Sequence, residues 1–575
     1  MTTNDDRGID RKMEVYGSLM ASAARGLVEL VDRDPDSPAY GCFYYPYWRS
    51  KSSEYVNARC QEAAYSLALL WKNDYPGSDC RGNLELLELA RAGILFWARL
   101  QHGDGSFDEW YKGEHGFAAT AFSSFAISRT FSLIREELNP EERQTLSRAL
   151  DRAARWLCYH DDLEKINHEA VAAAALFSLA EVLEEKEYFF AAEKKVELVR
   201  ERQTEEGWFP ELGGVDTGYS FLTLEYLAYA YTFKPSDELR GSLNRGLEFL
   251  SFFVHPDITT GREYNLCGNS YVSLLSAGIM AEFSPAARGL LREGVSRGDP
   301  LNQLAQDDLS RTYHLYNGLL VYDLFRENRE KFTAEITPLP FIQEPYRRFF
   351  PDSGLLSIKT EKYYAVAAGH SGGLVKIYPL PSSDSAGSVS CRDAGYTIQL
   401  SDGSSISSFR LARDNPVEWD GSGCLKVSAP FRSGNYFFPG GLARFILRIF
   451  STIPGGYLLI KKAADYLRRR KNASFQLQAV SGKTGSGRLR REIYFQEDSI
   501  RIIDLVSDLP ASGDYSLAVN LEKQTDGLVN WSPGEDLIAS PGRDPEYGNG
   551  FRREKIITPR RDDIEITWNR NRQAE

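Results

Sequence analysis

Long hydrophobic runs are missing from this 575-residue chain. No stretch of eighteen uninterrupted apolar residues occurs, so no transmembrane helix is expected. The opening residues, Met1 to Arg11, are polar and charged and lack the apolar segment that drives secretion. Cysteine is sparse and unpatterned: Cys42, Cys60, Cys80, Cys158, Cys267, Cys391 and Cys424 are scattered and never form Cys-x-x-Cys. That argues against a disulfide framework or a structural zinc site, and reads as reduced, mostly buried thiols in a cytoplasmic protein. Positive charge is also short, with 68 Lys and Arg against 80 Asp and Glu and a net charge of −12. A general nucleic-acid binder is thereby excluded, because phosphate binding demands a positive footprint. A local basic pocket for an acidic substrate can coexist with that balance. Histidine is scarce, seven in all, and only His370 follows position 314.

What is present is regular. Phe117, His168, Tyr219 and Ser270 stand 51, 51 and 51 residues apart, and each opens a run of apolar, small and aromatic residues with helical spacing. Gln101–Glu109 also aligns with Gln203–Glu211 at an offset of 102, two such units. A unit of about 50 residues is the size of a helical hairpin plus a long loop, and stacked hairpins form an open solenoid or a closed toroid. From Tyr55 to about Phe325 helical segments follow one another, among them Ala118–Leu133, Ala170–Leu183 and Phe221–Phe233. Closure into inner and outer helices is expected, because the inner helix starts then converge on one mouth.

The character changes near residue 335. Pro338-Leu339-Pro340 punctuates the chain, and short alternating runs with Gly, Ser and Asp turns follow, including Leu355–Lys359, Tyr363–Ala368, Leu374–Tyr378, Phe475–Val480 and Ser499–Leu505. One core stops growing at roughly 250–300 residues, so the chain is long enough for two. The expected fold is multi-domain, α then β. Residues 1–54 form an N-terminal helix and aromatic loop, 55–335 an α/α toroid of helical hairpins, and 336–575 an antiparallel β-sandwich. The aromatic loop, Gly41 to Trp48, is read either as a plug against the first helices or as a surface on which sugar rings stack. Inside the sandwich, 441–471 is helical and strongly basic. It is read as a packed insertion, as a peripheral contact with an anionic membrane at its inner face, or as a guide for an anionic chain.

Candidate chemistry collects at the helix starts. Asn167 precedes His168, Tyr219 begins the next inner helix, and Glu114, Asp216, Arg262 and Glu263 fall in the equivalent loops. A His and a Tyr facing each other make a proton-transfer pair, and the unpaired N–H groups of helix N-termini suit a substrate that carries a carboxylate. Taken singly, a His at a helix start is more often a capping or packing residue, and such a Tyr is usually core. The coincidence of Asn, His and Tyr at one periodic position is what points to a site.

With Asn167-His168 at one inner helix start, Gly218-Tyr219 at the next, and a toroid ahead of a β-domain, the chain resembles the polysaccharide lyases of the heparinase II/III and oligoalginate lyase type over about residues 55–525. The resemblance implies that Asn167 and His168 neutralise a uronic acid carboxylate, that Tyr219 serves as acid and with some substrates as base, and that the glycan is cleaved by β-elimination to leave an unsaturated sugar. It also implies a His from the β-domain, for which His370 is the candidate. The denser His-rich zinc motif of some members is missing, so no metal or cofactor is expected. Glu114, Phe117, Asp216, Arg262, Glu263, Tyr264, Asn269 and Tyr313 are expected to line the substrate, an anionic glycan. Two other readings stay open: a glycoside hydrolase on the same toroid using Glu114, Glu211 and Asp216, and a non-catalytic glycan-binding protein of an exopolysaccharide system.

Overall fold

The computed structural model describes residues 4–265, 268–299, 301, 304, 307–332, 334–380, 389–433, 441–453, 456, 484–509, 515–525, 528–530, 550–560 and 563–569. Cys267, the strand expected at 475–480 and the basic stretch 457–471 lie outside them. Helices alternate between two layers. The inner ones are α2 (Ala63–Lys72), α4 (Phe117–Ile134), α6 (Ile166–Leu183), α8 (Thr217–Phe233), α10 (Leu274–Met280) and α12 (Leu315–Glu327); the outer ones are α1 (Asn4–Arg25), α3 (Leu84–Leu100), α5 (Pro140–Cys158), α7 (Lys186–Arg202), α9 (Asp237–Ser251) and α11 (Pro285–Arg297). Each inner helix packs on the next and α12 returns to α2, so the ring is closed. The N-terminal helix α1 takes part in it as the outer helix packed on α12, α11 and α2.

Position in the ring explains composition. Outer helices bury one stripe: α5 buries Leu146, Ala149, Leu150, Ala153 and Leu157 and turns its charges outward. Inner helices have neighbours on all sides and are apolar all round. Phe117–Glu137 and Ile166–Leu183 match a membrane span in length and composition, and 72% and 89% of their apolar windows are buried inside the ring.

The repeat seen at Gln101 and Gln203 is a repeat of hydrogen bonds. Gln101 Nε2 donates to the Gly105 and Ala149 carbonyls (3.0 and 2.8 Å), and Gln203 Nε2 to those of Gly207 and Ser242 (2.8 and 3.0 Å). Each glutamine thus ties the end of one outer helix to the next outer helix. Gly105 and Gly207 adopt φ of +102° and +106°, and a Cβ at Gly207 would stand 2.4 Å from the Arg245 carbonyl oxygen. Only glycine lets the loop pass there. The two units differ at one equivalent position. Asp104 pairs with His115 of its own loop at 2.8 Å, whereas Glu206 accepts the backbone N–H groups of Asp352 and Ser353 in the β-domain at 2.7 and 3.0 Å.

The second half is one antiparallel sheet that begins with β1 (Tyr346–Phe350), β2 (Leu355–Lys359), β3 (Tyr363–Ala368), β4 (Leu374–Pro379) and β5 (Ser390–Leu400), paired in that order. It curls so that Leu356, Ile358, Ala365, Val375 and Ile377 meet Leu425, Ile493, Ile500, Ile502 and Ile557 in a sandwich core. The alternate residues Leu355, Tyr364, Val366, Leu374 and Tyr378 join the toroid core. These strands are buried on both faces, which is why they read as continuous apolar runs. Among the described strands, Tyr346–Phe350, Val417–Trp419, Cys424–Ser433, Leu528–Asn530, Phe551–Arg560 and Asp563–Asn569 are not ones the sequence predicts, and two of them show why. Cys424–Ser433 carries Pro430 beside a register shift, and Phe551–Arg560 is rich in charge because Lys555, 1% exposed, belongs to a buried ionic cluster with Asp393, Asp504 and Arg491.

The domains meet along the end of α9. Phe350 packs on Phe249, Phe252 and Phe253 with ring centroids 5.0, 5.5 and 5.3 Å apart. The Phe252 carbonyl accepts the Ser357 and Tyr364 hydroxyls at 2.8 and 2.6 Å. Gly207→Ala is expected to lower unfolding free energy by about 2 kcal/mol through backbone strain. Gly241→Ala, in α9 with only the Arg245 guanidinium within 4 Å, should raise it by about 0.5–1 kcal/mol. Denaturant unfolding of the two variants distinguishes the signs.

Candidate active site

Antiparallel return through the outer layer brings the inner helix starts to one end of the ring. Their first turns are capped locally. Asp216 accepts the Tyr219 backbone N–H at 3.0 Å at the start of α8, and Ser273 accepts that of Ser276 at 3.0 Å at the start of α10. A Cβ at Gly218 would stand 2.8 Å from Asn269 Cγ, so glycine allows Asn269 to lie against the first turn that carries Tyr219.

His168 opens α6. Its ring stacks on Phe117 at 6.3 Å and 13°, and meets the edge of Phe122 at 6.1 Å. Its Nδ1 lies 2.8 Å from Asp162 Oδ2, and the side chain is only 12% exposed. Burial lowers the imidazole pKa, and the Asp162 hydrogen bond only partly opposes this. Burial works against ionisation of Asp162 as well, but the His168 hydrogen bond, the His168 and Lys165 charges and the Glu164 backbone N–H together outweigh it and hold the carboxyl below its ordinary range. The pair is therefore a carboxylate accepting Nδ1–H from a neutral imidazole, which makes Nε2 the lone-pair nitrogen. A His in that tautomer accepts a proton.

Asn167 is buried, and its Nδ2 lies 2.6 Å from Glu211 Oε2. Its Oδ1 is buried without a hydrogen-bond partner. Burial, with Asp216 nearby, pushes Glu211 up to about 8 despite Asn167 and Lys165. A protonated Glu211 can pair with the amide in the opposite sense: with the amide turned over, the carboxyl O–H donates to Oδ1, and Nδ2, in the position now held by the unpaired oxygen, is left as a donor that needs an acceptor.

Phe122 links this corner to a group that periodicity missed. Arg59 lies over Phe122 at 3.8 Å and over Tyr313 at 4.0 Å, and pairs with Glu62 and Glu109 at 2.8 and 3.5 Å. His314 stacks on Tyr271 at 6.1 Å and lies 3.4 Å from the Arg59 guanidinium. Burial and then Arg59 lower its pKa to about 3, so it is neutral. Arg59 precedes Phe117 by 58 residues and His314 follows Ser270 by 44. Both fall off the 51-residue period, and only the closed ring brings them in.

Other expected residues divide by location. Tyr313 is in the group just described, with its hydroxyl accepting Asn57 Nδ2 at 2.6 Å. Glu114 accepts the Glu109 and Trp110 backbone N–H groups, both at 2.7 Å, and burial pushes it up to about 7. The loop so folded exposes Trp110 and Tyr111, 67% and 48% accessible, an aromatic surface ahead of α4. Arg262 is exposed, with φ of +48°. Glu263 and Tyr264 do not line the mouth, because their loop docks the β-domain: Glu263 pairs with Lys376 at 3.1 Å, and Tyr264 is buried 2.9 Å from His255 Nε2. The Gly41–Trp48 loop is chiefly a plug, with Cys42 and Phe43 buried and Trp48 Nε1 donating to the Leu30 carbonyl at 3.0 Å.

His370 sits in the Gly369–Ser371 turn after β3, its carbonyl accepting Ala412 N and Asn415 Nδ2 at 2.9 Å each. Burial and then Arg413 hold its pKa low. Arg413 reaches across the boundary to the Gly213 carbonyl at 2.9 Å, so the His370 turn is coupled to the loop that leads to Tyr219.

The fold is that of polysaccharide lyases, an α/α toroid followed by an antiparallel β-domain. A chondroitin AC lyase from Streptomyces coelicolor A3, solved with chondroitin sulphate, matches with a TM-score of 0.53 at 8% identity, over 90% of this chain and 71% of that one. A heparan sulfate lyase HepC mutant from Pedobacter heparinus gives 0.41 at 11% identity, over 94% and 75%. Residues 26–257 match the family model described as the ulvan lyase N-terminal domain, a span that holds Phe117, Asn167, His168 and Tyr219. No curated protein matches the chain by sequence.

Because the Asp162 charge raises the His168 pKa, Asp162→Asn is expected to lower it further. An NMR titration of the His168 ring checks the direction, and an unchanged or raised value would contradict the pairing.

Proposed function

We propose that the chain cleaves a uronate-containing polysaccharide or oligosaccharide by β-elimination at the mouth of the toroid. The Asp162–His168 pair supports this most: a neutral imidazole with an acceptor Nε2, at the helix start next to that of Tyr219, within a domain that matches an ulvan lyase. The proton beside a uronate carboxylate is too weakly acidic for a side chain until the charge developing on the carboxylate is stabilised. One preorganised donor in such a site is worth about 3 kcal/mol.

In this reading Asn167 supplies that donor. Protonated Glu211 holds Asn167 Oδ1, and Nδ2–H meets the substrate carboxylate. His168 Nε2 takes the C5 proton, the C4–O bond breaks as the C4–C5 double bond forms, and the departing oxygen takes the Tyr219 hydroxyl proton. Both side chains return to their starting states by proton exchange with water. Trp110 and Tyr111 offer faces for neighbouring sugar rings. The carboxylates a hydrolase would use are engaged otherwise: Glu114 with its own loop, Asp216 as the cap of α8, Glu211 with Asn167.

Purified protein offered alginate, glycosaminoglycan, pectic and glucuronan oligosaccharides should generate ultraviolet absorbance from an unsaturated uronate, with matching masses. New reducing ends without absorbance would replace the lyase by a hydrolase. Tyr219→Phe and His168→Ala should each lower kcat by about 10²-fold or more. Activity should fall as pH drops through the lowered His168 pKa, where the base becomes protonated. It should also fall as pH rises through about 8, where Glu211 loses its proton. Glu211→Gln keeps an N–H for Asn167 Oδ1 at every pH, so its profile should lose the alkaline limb attributed to Glu211, whereas Glu211→Ala should be slow throughout.

A further inference from the structure

Helix α13 (Gly441–Thr452) breaks the rule that the other helices follow. Leu442, Phe445, Ile446, Ile449, Phe450 and Ile453 are 74%, 62%, 45%, 42%, 37% and 49% exposed. At 100° per residue these positions fall within an arc of about 140° on one side, and Arg444 and Arg448 fall outside it. Arg444 and Arg448 are exposed as well, and Arg448 reaches the exposed Glu54 of the toroid at 3.4 Å, so the helix offers an apolar side and a basic flank to its surroundings. A soluble helix with this pattern would lay that face in a core.

We propose that α13 is an interfacial helix that seats the protein on an anionic lipid surface. Charge selects the occupant. The chain as a whole carries a net −12, yet α13 itself holds Arg444 and Arg448 and no acid, and as sequence alone the stretch that follows, to Lys471, adds six Lys and Arg against the single acid Asp465. An apolar face of Phe, Leu and Ile flanked by the exposed Arg444 and Arg448 matches the boundary between acyl chains and anionic headgroups, with side chains sunk below the phosphates and guanidinium groups level with them. A second copy fits less well, since pairing two such faces brings both sets of cations together. An anionic glycan would engage the cations and leave the apolar face in water.

Flotation of the full chain with phosphatidylcholine vesicles, and with vesicles that also contain phosphatidylglycerol, tests the seat. The protein should float with the anionic vesicles at low salt, should stay behind with phosphatidylcholine alone, and should be released by high salt. Phe445→Ser/Ile449→Ser, whose side chains are exposed, should keep the melting temperature and lose about tenfold in bound fraction; Arg444→Glu should lose binding in the same direction. Absence of flotation at low salt overturns the proposal, as does binding that the apolar double variant leaves unchanged. Light scattering that shows a dimer converted to monomer by the same double variant, without vesicle binding, would assign the face to a second copy. Salt-sensitive retention on alginate that Arg444→Glu abolishes, again without vesicle binding, would assign the segment to the glycan.

Discussion

Closure of the ring between α2 and α12 is the contact on which the rest depends. It is made by Tyr65 and Tyr316, with ring centroids 4.9 Å apart, and by the Asn73 amide and Tyr75 hydroxyl on Asp323 at 2.9 and 2.7 Å. The Tyr75–Asp323 bond spans 248 residues. Joining ends that far apart costs only about 1.4 kcal/mol more than joining the ends of one 51-residue unit, because closure entropy grows with the logarithm of length. Without that seam Arg59 and His314 would sit at opposite ends of an open stack. With it they lie 3.4 Å apart, and Phe122 connects them to His168.

The strands on the other side work under a related constraint. β2, β3 and β4 serve two cores at once, one set of alternate side chains facing the sandwich and the other facing α9 and the loop behind it. A shift of register by one residue would exchange the sets and place Lys376 and Ser357 in the sandwich core. Register in these strands therefore also fixes where the His370 turn stands against the toroid.

Much of this was legible beforehand. A strict 51-residue spacing marks positions that stay equivalent only if the intervening hairpins are alike, and so it found Phe117 and His168, which stack, and Tyr219 on the adjoining helix. It missed Arg59 and His314 because the hairpins that close the ring have other lengths, and α10 is only Leu274–Met280. The same periodic argument turns Arg262, Glu263, Tyr264 and Asn269 towards the substrate, but Glu263 pairs with Lys376 of the second domain and Tyr264 is buried against His255, demands that no single repeat reveals. Among the strands, those buried on both faces were readable from apolar content. Phe551–Arg560 was not, since its Lys555 is compensated by aspartates from distant strands that become neighbours only in the folded sheet.

The contrast between Asp104 and Glu206 carries a consequence of its own. Repetition alone gives a ring with near-rotational symmetry, and such a ring offers a partner several indistinguishable seats. Extending the acid by one methylene at position 206, and freeing it from a histidine like His115, makes one of those seats unlike its counterpart. A single carboxylate therefore helps convert a symmetric scaffold into one with an orientation, so that a lone β-domain meets the mouth from one side.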